Sequence, residues 1–266
     1  MKELVYISLL LLFAACNNAE KPIKPYQRSV PLNQELKSDT LAKSSKNKNI
    51  EIGYVQTYDS LPELQFDTIS ESEFKRYKNK RVLIKPQIKE KGNYFFIPTK
   101  EQKHAFKKYD DYGEGHAGFE FVGYYPKLKL FALTENSSSE GLEFGQLFLL
   151  DSITDYRYSI ISFGDANVTD PIPSPGNKYM VYYYNSVYEH KNCDIGILKI
   201  NSKSVPESYL KEYASYHSDE FAVEELIWVS DNSFYIKGYE EVHENDQWVK
   251  KYKFYRTVIQ GNSTQK

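Results

Sequence analysis

From about residue 118 onward the chain repeats one layout three times, and that repetition limits its folds more than any other feature. GFEFVGYYPKLKLFALTENSSSEGLEFGQLFLLDSITDYRYSII runs strand, tight turn, strand, polar excursion, strand, turn, strand. DPIPSPGNKYMVYYYNSVYEHKNCDIGILKINSKS and AVEELIWVSDNSFYIKGYEEVHENDQWVKKYKFYRTVI follow the same order. The equivalent turns begin at Tyr125-Pro126, Ser174-Pro175 and Ser230-Asp231, 49 and 56 residues apart. Strands are predicted at 118–124, 129–135, 145–151, 156–163, 178–185, 194–200, 223–229, 233–241 and 248–259. Pro, Gly, Asn, Asp and Ser punctuate them, as turns require. The excess of aromatics, 24 Tyr and 15 Phe, suits half-buried pleated surfaces and cross-strand pairs. The alternative use of so many tyrosines is as stacking platforms for sugars or a partner protein.

A repeat of about 50 residues is the size of a four-stranded unit such as a propeller blade. SPGNKYMVYYYN resembles the S-P-D-G-K-x-hydrophobic turn of PD40/TolB-type β-propeller repeats, with Gly176 and Asn177 where that family has Asp and Gly. Pro175 presets the turn, and Gly176 and Asn177 tolerate positive φ. The resemblance covers about 119 to 260 and implies a small or irregular β-propeller-like assembly. An open β-sandwich or meander is the alternative.

Ahead of the repeats the sequence reads as mixed. Three short helices are predicted. In SESEFKRYKNK, Ser70 with Glu73 forms a capping box and Phe74 and Tyr77 share a face. In PTKEQKHAFKKYDD, Thr99 with Gln102 repeats that signature, with Phe106 and Tyr109 as the apolar pair. Within the repeats, PESYLKEYASY carries Pro206 at a first turn and clusters Tyr209, Leu210, Tyr213 and Ala214. RVLIKPQ and NYFFIP read as strands joined by the polar KEKGN.

The N-terminus, MKELVYISLLLLFAAC, has a basic start at Lys2, a short apolar run from Leu4 to Phe13 and small Ala14 and Ala15 before Cys16. The run is about half the roughly 20 residues that span a bilayer, so it reads as a secretory signal. Its end, FAAC, resembles the lipobox of bacterial lipoproteins. That resemblance implies that Cys16 is acylated, becomes the first mature residue and anchors the protein to a lipid bilayer. Asn17 and Asn18, instead of Asp, imply the outer membrane. Glu20 alone is a poor acidic cluster for surface display, so a periplasm-facing protein is expected.

This gives a signal peptide at 1–15, a lipidated tether at 16–50 and one mainly-β domain at 51–266. Residues 17–50 hold seven Lys or Arg (Lys21, Lys24, Arg28, Lys37, Lys43, Lys46, Lys48) against Glu20, Glu35 and Asp39. They lack hydrophobic periodicity, the composition of a solvated linker. The body is correspondingly acidic, and a pI near 6.3 gives no electrostatic case for nucleic acid.

Motifs of catalysis are absent from the sequence. No G-x-S-x-G, G-x-G-x-x-G or P-loop occurs, and His104, His116, His190, His217 and His243 never approach HExxH spacing. No cofactor or metal is expected. Asp110, Asp111, Glu114 and His116 form the densest polar loop, but miss the EF-hand pattern. Cys193, left alone once Cys16 is acylated, reads as a small buried hydrophobe. Trp228 reads as core and Trp248 as partly exposed. Glu140, Glu143, Glu189, Glu240, Glu241 and Glu244 lie in the excursions between paired strands, where two carboxylates at glycosidase spacing could meet.

Three functions follow from this reading. The first is a non-catalytic envelope scaffold that binds a protein or glycan. The second is an immunity or inhibitor lipoprotein acting against a secreted toxin or lytic enzyme. The third is an envelope glycan hydrolase.

Overall fold

The strongest apolar runs, Leu130–Leu133 and Leu147–Leu150, are buried on both sides of the strands that contain them. A strand covered on only one face alternates, whereas one covered on both reads as continuous apolar sequence. The computed structural model describes residues 48–53, 58, 60–78, 82–109, 117–139, 142–162, 169–186 and 191–260, and in these the chain is mainly β.

Sheet I holds β6 (Ala117–Tyr125), β7 (Leu130–Ser139), β8 (Leu142–Asp151) and β9 (Arg157–Ile160) as an antiparallel meander. β1 (Asn49–Ile52) adds to it in parallel beside β9. Sheet II is β10 (Ile172–Pro173), β11 (Tyr179–Asn185), β12 (Cys193–Ile200) and β13 (Leu210–Ser218). Sheet III is β14 (Ala222–Ser230), β15 (Ser233–Glu244) and β16 (Gln247–Val258), completed by β2 (Phe66–Thr68) from far upstream. Sheet IV is the small meander of β3 (Lys89–Lys91), β4 (Tyr94–Pro98) and β5 (Lys103–Lys107).

These sheets stack face to face in a row, as consecutive blades do. Phe131, Leu133, Phe148 and Leu150 pack on Phe95 and Ile97 of sheet IV. Their neighbours Leu130, Ala132, Leu147 and Leu149 pack on Met180, Tyr182 and Leu198 of sheet II. Val181, Ile195 and Ile197 continue from sheet II onto Phe234 and Ile236 of sheet III. The far side of sheet III is capped by Ile69 and by Phe74 of the helix α1 (Glu71–Phe74), on Ile227 and Tyr235. Among the described residues eight tyrosines belong to the core: Tyr58, Tyr125, Tyr158, Tyr182, Tyr184, Tyr209, Tyr235 and Tyr255. Several satisfy their buried hydroxyls: Tyr125 donates to Pro171 O at 2.6 Å, Tyr158 to Pro206 O at 3.0 Å, and Tyr182 meets Tyr58. Burying so much aromatic surface requires such partners.

All nine strands predicted from residue 118 onward form. The turn equivalence is physical too: the Gly176 amide donates to the Asp231 carboxylate, so the turns of sheets II and III touch. Asn177 takes the positive φ of 56°. Gly176 does not. A Cβ there would push aside the Asp231 carboxylate that the amide holds.

Two predicted helices are strands. Thr99 and Gln102 do bond locally (Thr99 Oγ1 accepts from the Gln102 amide at 3.2 Å), but that bond closes the turn between β4 and β5. Ser, Thr, Asn and Asp side chains serve turns as readily as helix caps. In β5, His104 and Phe106 face inward between outward lysines. PESYLKEYASY fails for a subtler reason. Pro206–Ser208 makes a single 3-10 turn, and Leu210 onward pairs with β12. The register shifts at Tyr213, so Leu210 joins the core facing sheet I while Ala214 joins the core facing sheet III. A bulge flips the parity, and the resulting spacing imitates a helix.

The first helix does form, with Ser70 Oγ accepting from the Glu73 amide at 3.2 Å, though only over one turn. RVLIKPQ contributes only an isolated bridge from Ile84 to Tyr124. KEKGN supplies β3 and its tight turn. At the other end of the predicted tether, Lys48 pairs with Glu101 at 2.5 Å and Asn49 begins β1.

Candidate binding surface

In an antiparallel meander alternate turns lie at opposite ends. At one end the turns of neighbouring sheets are stitched together: Lys203 Nζ donates to Leu128 O at 2.6 Å, and Asp231 holds Gly176. Beneath that stitching, Lys203 reaches 2.6 Å from the fully buried Asp151 carboxylate. Burial lowers the Lys203 ammonium's pKa, and the bond to Asp151 opposes that shift.

The β7–β8, β11–β12 and β15–β16 connections therefore share the opposite end. Two of the predicted polar excursions there are extended hairpins. β7 and β8 stay paired out to Ser139 and Leu142. β15 and β16 stay paired to Glu244 and Gln247, turning at Asn245 and Asp246, both left-handed (φ 50° and 59°). Two successive positive-φ residues give a hairpin turn that follows the strand twist. β14 pairs with β15 only as far as Tyr239, and β2 meets β16 only at Tyr255–Thr257. The outer part of the hairpin is thus a two-stranded arm.

The arm and the β7–β8 hairpin carry five of the eleven large exposed apolar side chains among the described residues. These are Leu142 (62 % exposed) and Phe144 (49 %) on sheet I, and Trp248 (56 %), Val249 and Tyr252 (43 %) on sheet III. Trp248 meets His243 edge-on at 5.3 Å. Trp228, by contrast, packs between sheets II and III and donates to Ile172 O at 2.9 Å.

The excursion glutamates do not converge among the described residues. Glu240 lies 3.9 Å from Lys253, and Glu244 is 2.5 Å from Lys251. Glu241 sits opposite Lys250, and Glu143 lies on a different sheet. Glu140 and Glu189 lie outside the described residues, as do Cys16, the Asp110–His116 loop and His190. Cys193 is buried between sheets II and III, and burial pushes its thiol well above the usual range. No group of three metal-ligating side chains occurs among the described residues.

One arrangement is invisible in the sequence. His104 Nε2 lies 2.5 Å from Asp155 Oδ1, which also accepts from Thr99 Oγ1 at 2.7 Å, while Gln102 Nε2 donates to Oδ2 at 2.6 Å. Burial alone would raise the Asp155 carboxyl, but these bonds outweigh it and hold it below the usual carboxylate value. The pair borders a cleft of about 400 Å³ with Lys48, Glu101 and Arg157 at its rim. These bonds tie sheet IV to the β8–β9 turn as a clamp. Fifty-one residues separate the two partners, and no local pattern links them. A second clamp, His217 with Asp194 at 2.7 Å, is exposed; its bond to Asp194 raises the imidazole's pKa.

No family model, no curated protein and no solved structure matches the chain.

Proposed function

We propose that this protein is a lipid-anchored binding protein of the bacterial envelope. In this reading Cys16 carries the anchor at the outer membrane, the residues to about 48 act as the tether, and the β body faces the periplasm. Its role is to hold a protein or glycan ligand without chemistry. The observation that carries the binding role is the exposed aromatic surface of the β15–β16 arm. Trp248 and Tyr252 stand exposed on the hairpin beyond the packed part of sheet III, and exposed aromatics are common anchors of recognition. No described helix is long and apolar enough to cross a membrane. The anchor itself rests on the FAAC sequence and on membrane affinity that grows by about 0.8 kcal/mol per buried methylene.

Two experiments test this reading. Cys16→Ser is expected to move the protein from the membrane to the soluble fraction, and unchanged fractionation would overturn the anchor. A photo-crosslinking amino acid at position 248, introduced in living cells, is expected to form a discrete adduct with a protein or glycan. Absence of any adduct would overturn the binding role.

A further inference from the structure

Between sheets IV and I the chain leaves a gap along the edge of β6, and Pro86 is the reason. Ile84 pairs with Tyr124 through both backbone bonds, at 3.0 and 2.8 Å. Two residues on, the next position able to bond that edge is Pro86, which has no N–H and cannot extend the ladder. The chain therefore leaves β6 and joins sheet IV as β3. At the other end Lys108 takes over the edge. It bridges Phe119, whose C=O accepts from the Tyr109 amide at 3.0 Å. Among the described residues nothing pairs with this edge from Glu120 to Val122.

Strand geometry fixes what the gap offers. Backbone groups alternate along a strand, so Phe121 points its N–H and C=O to the same edge as Phe119. The bulge at Val122 accounts for the odd spacing to Tyr124. The gap opens into a cleft of about 750 Å³, walled by Pro86, Ile88, Phe95, Phe119 and Phe121. That volume falls in the range of ligand pockets, about 300–1,000 Å³. Tyr109 also lines the cleft, and its shielded hydroxyl has no hydrogen-bond partner among the described residues. Buried polar groups in folded proteins are almost always bonded, whether to protein, water or ligand. The charged groups of the cleft are already engaged. Lys108 pairs with Glu90 at 2.5 Å, Lys85 attracts the Asp170 carboxylate, and Glu120 accepts from Asn136 at 3.0 Å. Two lysines against two glutamates leave no one-signed field for a charged ligand.

A ligand that fits is uncharged, offers Phe121 a hydrogen-bond donor and acceptor side by side, and carries an apolar group for the phenylalanine walls. One residue of an extended peptide holds all of these in a single unit, which is how a strand adds to a free sheet edge. Phe119 and Tyr124 are five positions apart, ~16 Å of strand, so the space between the two bridges takes about three residues.

We propose that the cleft between sheets IV and I binds a short, uncharged, extended peptide segment. One of its residues pairs with Phe121 and seats an apolar side chain against Phe95, Phe119 and Phe121. The site is separate from the β15–β16 arm, so its failure leaves the reading of that arm standing.

The test is nitrogen-15 NMR of the full-length protein in detergent micelles, titrated with Ac-Ala-Leu-Ala-NH2 and Ac-Ala-Phe-Ala-NH2. At least one is expected to bind, moving the Phe121 amide resonance as it saturates. N-methylation of the central peptide residue removes one backbone donor and keeps the side chain. It is expected to weaken binding by about fivefold or more. Tyr109→Phe is expected to weaken binding by about threefold to fivefold with no loss of melting temperature, because it strands no described partner. No movement of Phe121 with either peptide overturns the proposal, and so does binding indifferent to both N-methylation and Tyr109→Phe. Cellotriose moving that resonance where the peptides do not would make the cleft a glycan site and overturn the peptide assignment.

Discussion

Sheets I and III are built alike and used differently. Each is a meander completed by a strand from upstream, β1 for sheet I and β2 for sheet III. Sheet I lies between two layers, and its central strands read LFAL and LFLL, with odd and even positions divided between two cores. Sheet III has a neighbour on one side and a single helical turn on the other. Its β15 reads SFYIKGYEEVHE, and its burial falls away beyond Gly238. The same backbone plan therefore yields a buried layer where both faces are covered and, among the described residues, an exposed surface where one is not.

Breaking that contrast begins in sheet I. Phe148→Ala opens the face toward sheet IV and Leu149→Ala the face toward sheet II. Each is expected to cost about 3–5 kcal/mol in urea unfolding. A cost below about 1 kcal/mol for Phe148→Ala would mean that sheet IV is not a true covering layer. The ion pairs sharpen the same comparison. Lys203→Met strands the buried Asp151 carboxylate at the end of β8 and is expected to cost about 3 kcal/mol. Lys250→Met removes an exposed pair on sheet III and is expected to cost about 0.2–1 kcal/mol. Equal costs would show that burial does not distinguish the two sheets.

The clamp on sheet IV adds a pH dependence. The Asp155 carboxyl is held below its ordinary value in the folded state, so its stabilisation is complete above the unfolded carboxylate range. It is lost as pH falls through the folded value, because the unfolded chain takes up the proton first. Asp155→Asn is expected to cost about 1–2 kcal/mol at neutral pH and to flatten the acid limb of the stability curve. An unchanged acid limb would mean that another carboxylate sets it. The smallest expected effect is Trp248→Ala on stability, within about 0.5 kcal/mol, because the side chain stands on the arm outside every core cluster. A larger loss would make Trp248 a structural residue and weaken the case for a presenting face.

How far the fold could be read in advance depended on whether its signals were local. Turn residues and apolar runs located every strand from Ala117 to Val258 except β10 and β13. β10 is a two-residue strand, and a bulge at Tyr213 disguised β13. β5 was misread because Thr99 and Gln102 make one local bond that either a helix or a hairpin can use. The Asp155 clamp and the Asp151–Lys203 pair, whose partners lie about 50 residues apart, left no trace in periodicity. For the candidate surface, composition supplied the aromatics and suggested that Trp248 is exposed. Which tyrosines were core and which were open was not legible, because the same residue type suits both sides of a sheet.

By itself the sequence determined that this chain makes repeated aromatic strands closed by Pro, Gly and Asn turns, since each depends on a few adjacent residues. The tertiary structure decided the order of layers, the use of β1 and β2 to complete distant sheets, and how far each sheet face is covered. Those features depend on which apolar surface finds another across long loops, a competition settled by total burial and not by any local pattern.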